Sequence, residues 1–170
     1  MSRRAKSSQS WIDCLQGQVI AAFGRHYSVT TAVGTLSCVM RGKKSGVACG
    51  DQVECRMTTQ GQGVIETIKP RNSQFYRSDA FKEKIIAANV TQIILVVAAV
   101  PSFSEELISR CLVAAESENI NVLIVLNKAD LIQPTQVALD TLLLYRELGY
   151  TVLQLSAIQN ALTLRPYLSN

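Results

Sequence analysis

Between residues 17 and about 69, apolar and polar residues alternate in short runs broken by glycine. Residues 17–23, 27–32, 35–40, 51–57 and 64–69 each follow a two-residue period, with a glycine in nearly every gap. A period of two is the geometry of a half-buried strand, and glycine supplies the turns, so this part predicts five short strands and no helix. Such a string suits a small closed barrel, and an OB-fold or an SH3-like barrel would produce it equally.

From Asn89 the pattern switches to strand alternating with helix. Residues 92–98 are an apolar run, and Ser102 with Glu105 three positions on reads as a capping box. It opens a helix in which Leu107, Ile108, Cys111, Leu112 and Ala115 recur at helical spacing. Residues 122–126 are unbroken Val-Leu-Ile-Val-Leu. Pro134 then opens a helix carrying Val137, Leu142, Tyr145 and Leu148 and stopping at Gly149, ahead of a strand over 151–155. Strand and helix in alternation, joined by right-handed crossovers, predict a parallel sheet. Residues 161–168 are too few to complete a doubly wound domain.

The expected division is a flexible basic tail over 1–14, the barrel over 15–70, a connector over 71–88 and a partial α/β domain over 89–170. In the connector Phe75, Tyr76 and Phe81 stand among Arg71, Arg77 and Lys82. They are read as packing anchors between modules, with stacking on RNA bases as the other use of such a mixture.

At 48% hydrophobic and 18% charged, the 170 residues can bury one substantial core or two small ones. The longest apolar stretch, around 93–100, falls far short of the roughly 20 residues of a bilayer span, so no membrane association is expected. Cys14, Cys38, Cys49, Cys55 and Cys111 form no C-x-x-C pair, and His26 is the only histidine. That arrangement predicts reduced thiols, a surface histidine, no metal site and a cytoplasmic protein. Charge is unevenly divided: residues 1–90 hold 13 Lys and Arg against 6 Asp and Glu, residues 91–170 hold 4 against 7. The basic half is the one expected to meet nucleic acid.

Candidate chemistry sits where the 122–126 run breaks into Asn127-Lys128-Ala129-Asp130. In parallel sheets ligands collect just beyond the carboxyl ends of the strands. A carboxylate there can accept the two adjacent donors of guanine, the ring N1–H and the 2-amino group, whereas adenine offers neither. Asn127 can serve the base's other edge or brace the loop, and the Lys128 stem can lie over the purine face. Ser156-Ala157 follows the next strand and falls at the same edge, where a small residue lets a backbone N–H approach the base. No catalytic residue is assigned.

Residues 41–46 fail as a phosphate-binding P-loop: G-x-x-x-x-G-K-[ST] would need Gly at position 37 and Ser or Thr at 44, where Ser37 and Lys44 stand. A basic loop on a barrel suits phosphate-backbone contact, with Arg25, Arg41, Lys43, Lys44 and Arg56 as candidates. A loop kept polar for solubility reads the same way.

Residues 47–51, 68–71, 86–90, 112–116 and 126–130, in the order small barrel, Asn-Lys-x-Asp box, Ser-Ala, resemble the ribosome small subunit-dependent GTPase A family of circularly permuted GTPases. The resemblance covers nearly everything after about residue 15. It favours the OB-fold over the SH3-like barrel and makes the second part a permuted, P-loop-GTPase-like domain. It implies GTP and GDP with magnesium, the small ribosomal subunit and its rRNA as partners, and a role in late subunit maturation. Asn127 and Asp130 would bind guanine, Lys128 would flank it, and the Ser156-Ala157 backbone would help seat its carbonyl. The phosphate loop, the magnesium and switch motifs and the zinc domain of the family are not in these residues. The expectation is therefore a monomer that does not hydrolyse GTP by itself. The rival is a non-enzymatic OB-fold adaptor for RNA with an α/β scaffold.

Overall fold

A computed structural model describes residues 14–42, 46–78 and 83–168, and the chain divides into two compact units, 1–89 and 90–170. Lys43, Lys44, Phe81 and the tail before Cys14 lie outside the described residues.

The first unit is a barrel of β1 (Cys14–Phe23), β2 (His26–Thr31), β3 (Gly34–Met40), β4 (Gln52–Thr59) and β5 (Gln62–Ile68), closed in the order β1-β2-β3-β5-β4. β3 and β5 run parallel and the other neighbours antiparallel. This is the expected Greek-key OB-fold. Alternation fills it: Val19, Tyr27, Val29, Leu36, Cys38, Val53, Cys55 and Ile65 point inward and are buried. Burial pushes the Cys55 thiol up to about 12, so it stays protonated and serves as packing.

Residues 74–88, expected as a connector, instead form an antiparallel pair, β6 (Gln74–Ser78) and β7 (Glu83–Ala88), within the first unit. The mixed aromatic and charged composition masked a two-residue period. Gly50 has φ +90°, and a Cβ there would fall 2.0 Å from the Ala88 carbonyl oxygen, so only glycine permits this approach. Asn89 Nδ2 donates to the Gly50 carbonyl, while its Oδ1 accepts from the Asn72 N–H.

Beneath lies a charge that the sequence reading passed over. Asp51 is fully buried; its carboxylate accepts from the Ala48 N–H at 2.8 Å and from Arg71 Nε and Nη2 at 2.7 and 2.8 Å. Arg71 also donates to the Gly46 carbonyl and Gln74. The bond to Asp51 raises the guanidinium's pKa further, and Arg71 is thereby committed to the fold rather than to a nucleic acid.

The second unit is β8 (Gln92–Ala98), α1 (Glu105–Glu116), β9 (Asn121–Asn127), α2 (Ile132–Glu147), β10 (Thr151–Gln154) and a 3₁₀ helix (Ala161–Tyr167). The sheet is parallel, ordered β10-β9-β8, with β9 central. Ile108, Leu112, Ala138, Leu142 and Tyr145 of the helices pack with Ile124 and Leu126 on one face; Leu123, Val125 and Leu155 gather on the other with Leu164.

Three helix expectations need correcting. The N-cap of α1 is Ser104, whose hydroxyl accepts from the Leu107 N–H, not Ser102. Phe103 is drawn into the core just before the cap and delays the helix start. Leu107, Val137 and Leu148 are 62%, 68% and 65% exposed, because the apolar stripe is narrower than its periodicity suggests. α2 begins at Ile132, so Pro134 sits inside the first turn, where its missing N–H costs nothing. The helix does stop at Gly149, which takes φ +95°.

Candidate functional site

The central strand β9 delivers Asn127 to the carboxyl edge of the sheet, and backbone hydrogen bonds hold that edge together. The Ala99 N–H donates to the Asn127 carbonyl, the Leu155 N–H to the Leu126 carbonyl, and the Ala129 N–H to the Leu155 carbonyl. Three strand ends are thus joined around one loop.

Asn127 does the bracing. Its Oδ1 accepts from the Lys128 N–H at 2.8 Å and the Ala157 N–H at 3.0 Å, tying the Asn-Lys-x-Asp turn to the Ser-Ala turn across 30 residues of sequence. Nδ2 has no partner among the described residues. Lys128 adopts φ +63°, and its ammonium donates to the Val100 carbonyl at 2.6 Å, latching the β8–α1 loop to the turn. Thr135 in α2 closes the other side: its hydroxyl donates to the Lys128 carbonyl at 3.4 Å and its N–H to the Leu131 carbonyl.

Among these tied groups Asp130 stands apart. It is half-buried, and its carboxylate has no hydrogen bond or ion pair among the described residues. Ser156 is buried; its N–H donates to Asn160 Oδ1 at 2.6 Å, and its hydroxyl has no partner. The Ser156 and Ala157 N–H groups, expected to face a ligand, are both engaged within the protein. Val100, Thr135 and Asn160 were missed. A backbone carbonyl leaves no signature in sequence, and only Asn160, an amide four residues after Ser156, had a local cue.

A concavity of about 550 Å³ opens at the opposite edge, lined by Gln92, Glu116, Asn121, Tyr150, Thr151 and Tyr167. Its carboxylate is already used: Glu116 accepts from the Tyr150 hydroxyl at 2.9 Å. It lies at the amino ends of the strands, away from the convergent groups at 127–130, and the chemistry places the site at the carboxyl edge.

On the barrel, Arg25, Arg41 and Arg56 are exposed. Arg41 and Arg56 donate to the two oxygens of Glu66 at 2.6 and 3.0 Å, and these bonds hold the Glu66 carboxyl below the usual range. Among the described residues no group of His, Cys, Asp and Glu is arranged to hold a metal, and no helix is long and apolar enough to cross a membrane. The residues here therefore do not fit a magnesium site.

Comparison with known proteins agrees with this geometry. The RsgA GTPase family model matches residues 68–170. The chain is 62% identical over 157 residues to the small ribosomal subunit biogenesis GTPase RsgA of Nitrosospira multiformis, and 55% identical over 159 residues to that of Nitrosomonas europaea. These alignments take in 92% and 91% of this chain but 50% and 51% of the relatives, so the chain spans about half their length. Among solved structures it resembles YloQ, a circularly permuted GTPase (TM-score 0.65, 25% identity, 99% of this chain and 60% of that one). It also resembles YjeQ from Thermotoga maritima (TM-score 0.64, 28% identity, 91% and 57%). The fold, the matched residues and the extent of identity together make this chain a member of the RsgA GTPase family.

Proposed function

We propose that this chain is the guanine-recognising and RNA-contacting part of a GTPase that acts, with magnesium, in the cytoplasm on the maturing small ribosomal subunit. The observation that carries the proposal is Asp130. It is the one acid of the turn, it stands at the carboxyl end of the central strand, and it is unpaired while Asn127, Lys128 and Ala157 are all tied down. A fixed carboxylate with free lone pairs is what the N1–H and 2-amino donors of guanine require. The braced loop costs no ordering on binding.

In this reading Asn127 positions the loop, with Nδ2 left to the base. Lys128 holds its stem beside the purine by anchoring its head on Val100. The guanine carbonyl reaches the Ala157 N–H by sharing it with Asn127 Oδ1. Ser156 supports the turn from beneath.

Phosphoryl transfer needs backbone amides, a lysine and magnesium around the β- and γ-phosphates, and these 170 residues supply none of them. We therefore propose weak guanine-nucleotide binding and no GTP turnover by this chain, acting as a monomer. Titrating the ¹⁵N-labelled chain with GDP and with ADP tests this: the Ala129, Asp130 and Ala157 amides should shift with GDP and stay unmoved with ADP. Equal responses would remove guanine from the reading. Sustained GTP hydrolysis by the pure chain would contradict its inactivity.

Basic residues on the barrel, Arg25, Arg41 and Arg56 with Lys43 and Lys44 of the adjoining loop, are proposed to contact rRNA phosphates. The support is their exposure and the excess of positive charge in residues 1–90. The small-subunit RsgA relatives point to the same partner.

A further inference from the structure

We propose that the outer wall of the barrel binds single-stranded RNA, with unpaired bases stacking on Phe23 and His26 and phosphates held by Arg41 and Arg56. This rests on the reading of the barrel as an rRNA-contacting unit, and it names the form of RNA and the groups that take it.

Strand register brings these residues together. Phe23 on β1 pairs with His26 on β2, His26 with Val39 on β3, Val39 with Val64 on β5, and Val64 with Arg56 on β4. Directly opposed residues point to the same face of a sheet, so these five form one row around the barrel. The row faces out: Phe23 is 70% and Val39 39% exposed, and His26 and Arg56 are exposed, while Tyr27, Cys38, Cys55 and Ile65, next along each strand, are buried in the core. Four strand spacings of about 4.8 Å give a track of roughly 19 Å.

An exposed phenyl ring beside an exposed imidazole is a stacking surface for any base, because every base has a π face. A duplex hides those faces inside its stack, so this surface favours unpaired nucleotides. The cationic end of the track is preset. Glu66, only 17% exposed, holds Arg41 and Arg56, which remain 72% and 51% exposed. Each guanidinium spends one bond on Glu66 and keeps further donors for a phosphodiester. Protein interfaces put aromatic anchors where charge is depleted. Here the aromatic row ends in arginine, on the half of the chain with 13 basic against 6 acidic residues.

Fluorescence anisotropy of the whole chain with a labelled, unstructured RNA of about eight nucleotides, and with that strand annealed to its complement, tests the proposal. Phe23→Ala should weaken binding of the single strand about 5- to 150-fold with the salt slope unchanged. Phe23→Trp should retain affinity, and Phe23→Leu should not. Arg56→Ala should lower the salt slope by about 0.7. Phe23 lies outside the core, so circular dichroism and Tm should not move. Wild-type affinity in Phe23→Ala or Phe23→Leu, or equal dependence on Phe23 for duplex and single strand, overturns the stacking proposal and leaves the phosphate-contact reading standing. A wild-type chain that binds neither RNA at low salt overturns both. Loss of binding to a ribosomal protein without loss of RNA affinity assigns the row to protein docking and overturns it as well.

Discussion

Replacing Asp130 with Asn tests the guanine assignment most directly. The substitution keeps size and shape but turns one acceptor oxygen into a donor. Guanine loses two charge-assisted hydrogen bonds of about 1.5–3 kcal/mol each, while xanthine, with a 2-oxo group in place of the amine, gains a partner. The preference for GDP over XDP should therefore fall by roughly 3–6 kcal/mol, a factor of about 10²–10⁴. Asp130 makes no hydrogen bond or ion pair with the described protein, so Tm should stay within about 0.5 kcal/mol equivalent of wild type. Chemical-shift titration suits the assay because it reads weak binding: the Ala129 and Ala157 amides should respond to GDP in the wild type and to XDP in the variant. An unchanged GDP-over-XDP ratio in Asp130→Asn would refute the reasoning and favour the RNA-adaptor alternative. Marked destabilisation would show instead that the carboxylate serves the fold.

Other substitutions test the supports. Asn127→Ala strips two N–H groups of their acceptor and should cost roughly 1–3 kcal/mol, with faster hydrogen exchange at Ala157 as the local readout. Asp51→Ala leaves the largely buried Arg71 guanidinium without its carboxylate and should destabilise the barrel by about 3–5 kcal/mol in denaturant titration. Gly50→Ala forces a Cβ against the Ala88 carbonyl at positive φ, and should lower stability by more than about 1 kcal/mol. The arginines lower the pKa of Glu66, so its contribution is complete above the ordinary carboxylate range and disappears as pH falls through the lowered value. Between about pH 5 and 3 the Tm of Glu66→Gln should accordingly fall less steeply than that of wild type.

Both folds were legible in the chain because local periodicity states which residues turn inward, and a closed barrel and a parallel sheet each use that information directly. The alternation through Val19, Tyr27, Val29, Leu36 and Cys38 became the barrel wall, and the run ending at Leu126 became the central strand. The chemistry of Asp130 could be read as well, since a lone carboxylate after a buried strand carries its preference in its own atoms. Periodicity failed where side chains meet across long separations. Asn127 became a brace for Ala157, Lys128 a latch on Val100, and Arg71 the partner of Asp51, because tertiary packing brought acceptors within reach that no spacing rule could name. The row from Phe23 to Arg56 exists only through barrel closure, which sets five registers at once. Sequence alone determined the elements and their inner faces; the closing of distant strands on one another decided which polar and aromatic groups stand free to meet a ligand.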